Sequence, residues 1–246
     1  MILLPAVDIR GGRAVRLRQG RFEEETVYGD DPLEAARSFV EAGAQRLHVV
    51  DLDGAREGEP ANLRHLERIA IELGVPVQFG GGLRSLASIE AALAAGAECV
   101  VVGTAALGDA ELLAEALRRW GARVSVAVDV RAGRVSVAGW TRETEESPEG
   151  LIARLGEGGV VRFVYTDVDR DGMLAGVDLE QVERIAAAVR GSFTMSGGVG
   201  SLKDLRALRE ARHSNLAGVI CGKALYEGRF TVAEARRELE AAPGGV

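Results

Sequence analysis

VQFGGGLRSL, Val77 to Leu86, and FTMSGGVGSL, Phe193 to Leu202, are one pattern written twice. Gly197 minus Gly81 and Gly198 minus Gly82 both give 116. In each copy a short apolar run stops at a glycine pair. Other pairs repeat at similar spacing. AVDIRGGR and AVDVRAGR set Asp8 on Asp129 (129 − 8 = 121), and LHVVDLD and FVYTDVD set Asp51 on Asp167 (167 − 51 = 116). VVVGTAAL and VICGKALY set Gly103 on Gly222 (222 − 103 = 119). An internal repeat of this length exceeds any solenoid unit. It implies two halves, residues 1–120 and 121–246 in round numbers, related by a pseudo-twofold axis.

Eight short apolar runs end in Gly, Asp or Ser with helical segments between them, the pattern of βα units feeding a parallel sheet. They end at Asp8, Asp51, Gly80, Gly103, Asp129, Asp167, Ser196 and Gly222. Most are apolar almost throughout, as strands covered on both faces should be. The intervening segments open on helix start signals: Asp31 then Pro32, Asp109, Asp178, and the capping box Thr231 to Glu234. No Pro/Gly/Ser-rich linker divides the 246 residues. The expected fold is a single α/β domain, a (β/α)8 TIM barrel built from two duplicated half-barrels, with an open doubly wound sheet as the alternative.

Composition agrees with a soluble globular protein that has an aliphatic core: 47% hydrophobic, 27% charged and only 4% aromatic. A net charge of -7 and a pI near 5.2 argue against a general nucleic-acid binder, which needs a basic surface. Cys99 and Cys221 sit in apolar runs and read as buried small hydrophobes, so neither a disulfide framework nor a metal cluster follows. The ILLPAVD start has no basic n-region and is too short to span a bilayer. We therefore expect a cytoplasmic protein with a small-molecule partner.

In such barrels the active site lies at the C-terminal ends of the strands. There the first and fifth strands carry Asp8 and Asp129, facing each other across the barrel by pseudo-symmetry. The third, fourth, seventh and eighth carry Gly81 and Gly82, Gly103 with Thr104, Gly197 and Gly198, and Gly222 with Lys223. A turn without side chains lets a ligand approach the backbone, and N–H groups opening the next helix favour a phosphate. The plainer reading is that glycine only permits the turn. Two symmetry-related pairs of loops point instead to two phosphate cradles, and so to a bisphosphorylated ligand whose reacting centre lies between the two aspartates.

One deprotonated carboxylate can abstract a proton while another, held protonated, donates one, as an isomerisation requires. The plainer alternative has each Asp capping its loop or pairing with Arg10 or Arg131. At the sixth strand TDVDRDGMLAG, Thr166 to Gly176, crowds Asp167, Asp169 and Asp171, but a calcium loop would need Glu where Val177 stands. No metal is expected, and Thr166 and Asp171 are assigned to the reacting centre. His48 reads either as a packed strand histidine or as a site residue. Trp140 reads as a ring that stacks on a planar substrate or as a surface patch. The glycine-flanked loop from Gly11 to Gly29 is long enough to move as a lid.

Together PAVDIRGGRAVRLRQG, HVVDLDGA, QFGGGLRS, VVGTAAL, VAVDVRAGRVSVAGW, TDVDRDGMLAGVD and SGGVGSLKDL resemble the histidine-biosynthesis isomerases that act on phosphoribosylformimino-aminoimidazole carboxamide ribotide. The likeness runs from residue 2 to about 230. It implies a cofactor-free Amadori rearrangement, with Asp8 as general base, Asp129 as general acid and Asp171 as a competing candidate for the acid. It also implies Gly81, Gly82, Gly103 and Thr104 at one phosphate, and Gly197, Gly198, Gly222 and Lys223 at the other. Arg18 and Arg84 are placed to help bind substrate. Some relatives also isomerise phosphoribosylanthranilate, and Trp140 with Arg142 suits either substrate. The related ring-closing cyclase has a Cys before its first Asp and a Ser after the sixth-strand Thr, where this chain has Ala6 and Asp167. A cyclase-type lyase with a glutaminase partner and a non-catalytic phosphosugar-binding barrel are the readings from other classes. A monomer is expected.

Overall fold

A computed structural model of the chain describes residues 1–103, 108–137, 140 and 142–241, with 142 and 143 as backbone only. Eight parallel strands run Ile2–Arg10, Leu47–Asp51, Val77–Gly80, Cys99–Val102, Val124–Arg131, Arg162–Asp167, Ser192–Ser196 and Leu216–Cys221. Each pairs with the next in chain order, and Leu3 of the first strand pairs with Val219 of the last. The sheet therefore closes on itself. It is the (β/α)8 barrel expected from the sequence and excludes the open sheet.

Closure leaves two apolar regions. Inside, Leu4, Ala6, Val101, Val164 and Ile220 fill the barrel. Outside, the alternate residues of the strands meet the helices in one continuous layer that includes Phe79, Leu66, Ile69 and Ile185. Each such buried aliphatic side chain contributes ~1.5–3 kcal/mol of transfer free energy. Truncating Ile69 to Ala removes that and leaves a void, at about 2–5 kcal/mol in all.

The helix starts lie where the sequence placed them. Asp31, Asp109 and Asp178 accept from the N–H groups of Leu33, Leu112 and Gln181 at 3.0, 2.9 and 3.0 Å. Thr231 and Glu234 form a reciprocal capping box opening helix Val232–Glu240. Cys99 and Cys221 are both buried free thiols.

The glycine-flanked segment Gly11 to Gly29, expected as a loop, forms two antiparallel strands, Arg13–Arg18 and Arg21–Gly29. The first continues the edge of barrel strand one by antiparallel pairing, Asp8 opposite Val15. Its four central residues are buried. The fifth strand carries a smaller hairpin of the same kind, Arg134–Val137.

Candidate active site

Each barrel strand delivers its last residue to one rim, and there Asp8, Asp129, Thr166 and Asp171 come together. Asp8 and Thr166 are buried. Neither neighbouring arginine neutralises the aspartates. Arg10 is held by Glu25 at 2.7 Å, and Arg131 donates to the Trp140 carbonyl at 2.8 Å. Neither Arg10 nor Arg131 is therefore the partner of these carboxylates.

The partner of Asp8 is a residue that sequence reasoning missed. Arg16 Nη1 donates to Asp8 Oδ2 at 2.9 Å, and Arg16 Nη2 lies 3.8 Å from Asp171 Oδ1. The Arg16 guanidinium packs directly on Gly222, where a Cβ would collide with it. Its Nε is buried without a hydrogen-bond partner. A buried guanidinium N–H left open is costly unless an anion or acceptor fills it. Arg16 therefore links the reacting carboxylates to the cleft lined by Gly197, Gly198, Gly222 and Lys223.

Arg18, expected to help bind substrate, makes neither of these contacts. Its side chain is 54% exposed, lies 3.5 Å from Glu24 and rests on the Met173 sulfur at 3.2 Å. Arg16 is buried and Arg18, at the end of the same strand, is exposed, where the pairing with the partner strand jumps from Leu17–Glu25 to Arg18–Arg21.

Burial pushes Asp8 up to about 6; Arg16 opposes this and Asp171 adds to it. Burial also pushes Asp129 up to about 6, with hydrogen bonding from Trp140 and Thr166 opposing and Asp171 adding. Asp171 is itself raised by burial, against Arg16 and Lys223. The three acids thus share one field. Among the described residues, Asp129 has no cationic side chain within ion-pair distance, whereas Asp8 is in direct contact with one.

Below this layer His48 is buried, and its Nδ1 lies 2.9 Å from Gln78 Oε1. Burial pushes its pKa down to about 4, so the ring is neutral and Gln78 fixes Nδ1 as the protonated nitrogen. Above the mouth three loops meet. Gln19 donates from its backbone to the Asp171 carbonyl at 3.2 Å and from its side chain to the Asp169 carbonyl at 2.8 Å. The Trp140 ring lies against Gly20, and Trp140 itself has φ 69°. A bulky residue held left-handed costs about 1–2 kcal/mol, and here it places the indole over Asp129. Trp140 is therefore no surface patch.

The glycine pairs are required by packing. Gly81 and Gly197 have φ 112° and 93°, and a Cβ on either would strike the carbonyl of Asp51 or Asp167 in the adjacent strand. The two cradles differ in their cations. Lys223 Nζ donates to the Gly172 carbonyl at 3.0 Å, at the rim of its cleft. Arg84 donates to the Ala55 carbonyl at 3.0 Å and packs on Gly58, so it ties down the loop after the second strand. Gly103 ends its strand as expected, and Thr104 lies outside the described residues. The D-x-D-x-D stretch does not converge: Asp167 holds Arg170, Asp169 accepts from the Ala132 N–H at 2.6 Å, and Asp171 faces Arg16. Among the described residues no group of three potential ligands is placed to hold a metal ion.

A closed barrel whose mouth gathers three coupled aspartates, a buried arginine and glycine turns is that of an enzyme working by proton transfer on an anionic substrate. The sequence model of the family described as "Histidine biosynthesis protein" matches residues 2–231, and the chain belongs to that family. A protein of Desulforudis audaxviator is 47% identical over 235 residues, covering 96% of this chain and 90% of its own length. One of Moorella thermoacetica is 46% identical, covering 96% and 97%, and one of Rhodospirillum rubrum is 44% identical, covering 96% and 98%. All three bear the name 1-(5-phosphoribosyl)-5-((5-phosphoribosylamino)methylideneamino)imidazole-4-carboxamide isomerase.

Proposed function

We propose that the chain carries out the isomerisation for which these relatives are named, turning a bisphosphorylated aminoaldose into its aminoketose in histidine biosynthesis. Asp129 gives a proton to the ribose ring oxygen. The C1–O bond breaks toward that oxygen, and the nitrogen lone pair forms C1=N. Asp8 then takes the proton on C2, and the freed electron pair makes a C1=C2 enolamine. Its hydroxyl loses a proton and C1 gains one, leaving the C2 ketone. One proton is given and one taken, so the balance needs no redox partner or cofactor.

The single observation behind the division of roles is the unequal charge around the two acids. Asp8 touches Arg16 at 2.9 Å, which favours its ionised form and suits a base. Asp129 has no cation beside it among the described residues; burial and the field of Asp171 favour its protonated form, against the hydrogen bonds of Trp140 and Thr166, and that suits an acid. Asp171 lies 3.8 Å from the same guanidinium, which argues for ionisation and against the acid's role. Arg16, Gly197, Gly198, Gly222 and Lys223 form the better-equipped phosphate site, and Gly81, Gly82 and Gly103 the other.

The reading takes a small bisphosphorylated molecule as partner and treats the protein as a cytoplasmic monomer. The net charge of -7 supports a small-molecule partner over nucleic acid, and among the described residues no helix is long and apolar enough to cross a membrane. The test is cofactor-free conversion of the aminoaldose followed by NMR, with Asp8→Asn and Asp129→Asn alongside. Turnover by the wild type, with both variants failing while still binding substrate, is the expected result. An inert wild type that binds the bisphosphate would remove the chemistry and leave the fold.

A further inference from the structure

The barrel has a second opening, at the end opposite the mouth. A cavity of about 120 Å³ lies among the first residues of the strands, and its polar lining comes from Arg46, Gln78, Ser125, Arg162, Ser192 and Thr194. One water needs roughly 10–15 Å³ by the same measure, so several waters or one small polyatomic ion would fit. The rest of the lining is aliphatic, aromatic, methyl or thiol, and no carboxylate contributes to it.

The charge in this cavity is unbalanced. Arg46 and Arg162 occupy equivalent places in the two halves (162 − 46 = 116). Arg46 is held by Glu98 at 2.8 Å, and Glu98 is not part of the lining. Arg162 has no carboxylate within ion-pair distance among the described residues, although its symmetry mate does. The neighbouring polar groups are donors or can act as donors. Gln78 uses its carbonyl oxygen on His48, which leaves its amide N–H groups, and neither Ser192 nor Thr194 has a side-chain hydrogen bond among the described residues. Ser125 Oγ lies 3.2 Å from Cys99 Sγ and is already engaged. An unpaired guanidinium, an amide and two free hydroxyls around one enclosed volume match an oxyanion, whose several lone pairs accept charge-assisted bonds.

We infer that the N-terminal end of the barrel binds a small tetrahedral oxyanion of the inorganic phosphate type, held by Arg162 with Ser192, Thr194 and the Gln78 amide. It is separate from the two cradles at the mouth. Bound there, the anion neutralises Arg162 and bridges the third, sixth and seventh strands, so it acts on stability.

The test titrates inorganic phosphate into the protein at constant ionic strength, with the mouth saturated by the aminoketose product, and follows Tm. Phosphate at about ten times its Kd is expected to raise the wild-type Tm by roughly 3–5 °C. Arg162→Met should weaken phosphate about 10- to 100-fold, the usual worth of charge-assisted bonds, while product stabilises both proteins equally. No phosphate effect on the wild type with the mouth full, or an equal effect in Arg162→Met, overturns the proposal. If Arg162→Met does not fold, Ser192→Ala with Thr194→Val replaces it: weakening of about tenfold supports the site and unchanged affinity overturns it. Failure of the product itself to stabilise the wild type would count against the isomerase reading alone. The comparison of wild type with Arg162→Met in phosphate then still decides this site, because both share the same mouth.

Discussion

In the first half of the barrel the Gly11 N–H donates to Asp53 at 2.7 Å; in the second the Ala132 N–H donates to Asp169 at 2.6 Å. Donors and acceptors match by the sequence repeat (132 − 11 = 121, 169 − 53 = 116). One duplicated contact pins the loop after each central aspartate. Beyond that contact the halves diverge. The place of Arg16 is taken by Val137 (137 − 16 = 121), and those of Thr166 and Asp171 by Val50 and Ala55 (166 − 50 = 116, 171 − 55 = 116). The first half thus gives an aspartate with a cation, and the second gives an aspartate with neutral donors and another acid. Duplication supplied two equivalent carboxylates, and their neighbours are unequal, which is the ground on which we propose one as base and the other as acid.

The largest expected effect erases the pair itself. Asp8→Asn and Asp129→Asn should each lower kcat by about 10²- to 10⁴-fold, the usual range for a general base or acid. Steady-state rates with product followed by NMR measure this. A loss confined to one variant would break the comparison, because a single carboxylate would then serve both steps.

Next come the unequal neighbours. Arg16→Met should cost about 100-fold in kcat/KM, since it removes both the counter-ion of Asp8 and a cation of the phosphate cleft. Thr166→Val should cost about tenfold. Their pH profiles should separate. Asp8 and Asp129 are both pushed up to about 6, so activity should fall below that pH as the base protonates and above it as the acid ionises. The two apparent values belong to the coupled acids together. Arg16 lowers Asp8, so removing it should move the acid limb to higher pH. Thr166 lowers Asp129, so removing it should carry the alkaline limb upward. If both variants move the same limb, the assigned roles are wrong.

How much of this was legible in the sequence depended on the range of the interaction. The barrel and the facing aspartates followed from strand ends and from offsets that repeat, and the caps at Asp31, Asp109 and Asp178 are contacts within a few residues. Arg16 was not legible. Its place needs a hairpin that pairs with the first barrel strand, and that arises from pairing between segments. Trp140 looked like a residue of a polar loop because its burial comes from Gly20, 120 residues away (140 − 20 = 120). The contact of Arg84 was not legible either, because the carbonyl it holds, Ala55, belongs to the helix after the second strand.

The smallest expected effect concerns stability and tests what the halves share. Each aspartate has an ordinary value of 3.8 and is raised to about 6 by burial in the folded chain. The folded state therefore keeps a proton that the unfolded chain has lost. Stability is full below about 4, falls as pH rises toward 6 and is flat above. Two units correspond to about 3 kcal/mol as an upper limit. Asp129→Asn keeps the shape and removes the charge, so at pH 8 its Tm should exceed that of the wild type by roughly 2–6 °C, with the gain vanishing near pH 4. The value of about 6 for Asp8 already includes Arg16 opposing burial, so Asp8→Asn should show a rise of similar size. Thermal melts of both variants at pH 4 and pH 8 decide the matter. A rise confined to one variant would mean that burial does not raise the two acids alike, and the coupled pair invoked for the pH profile would fall with it.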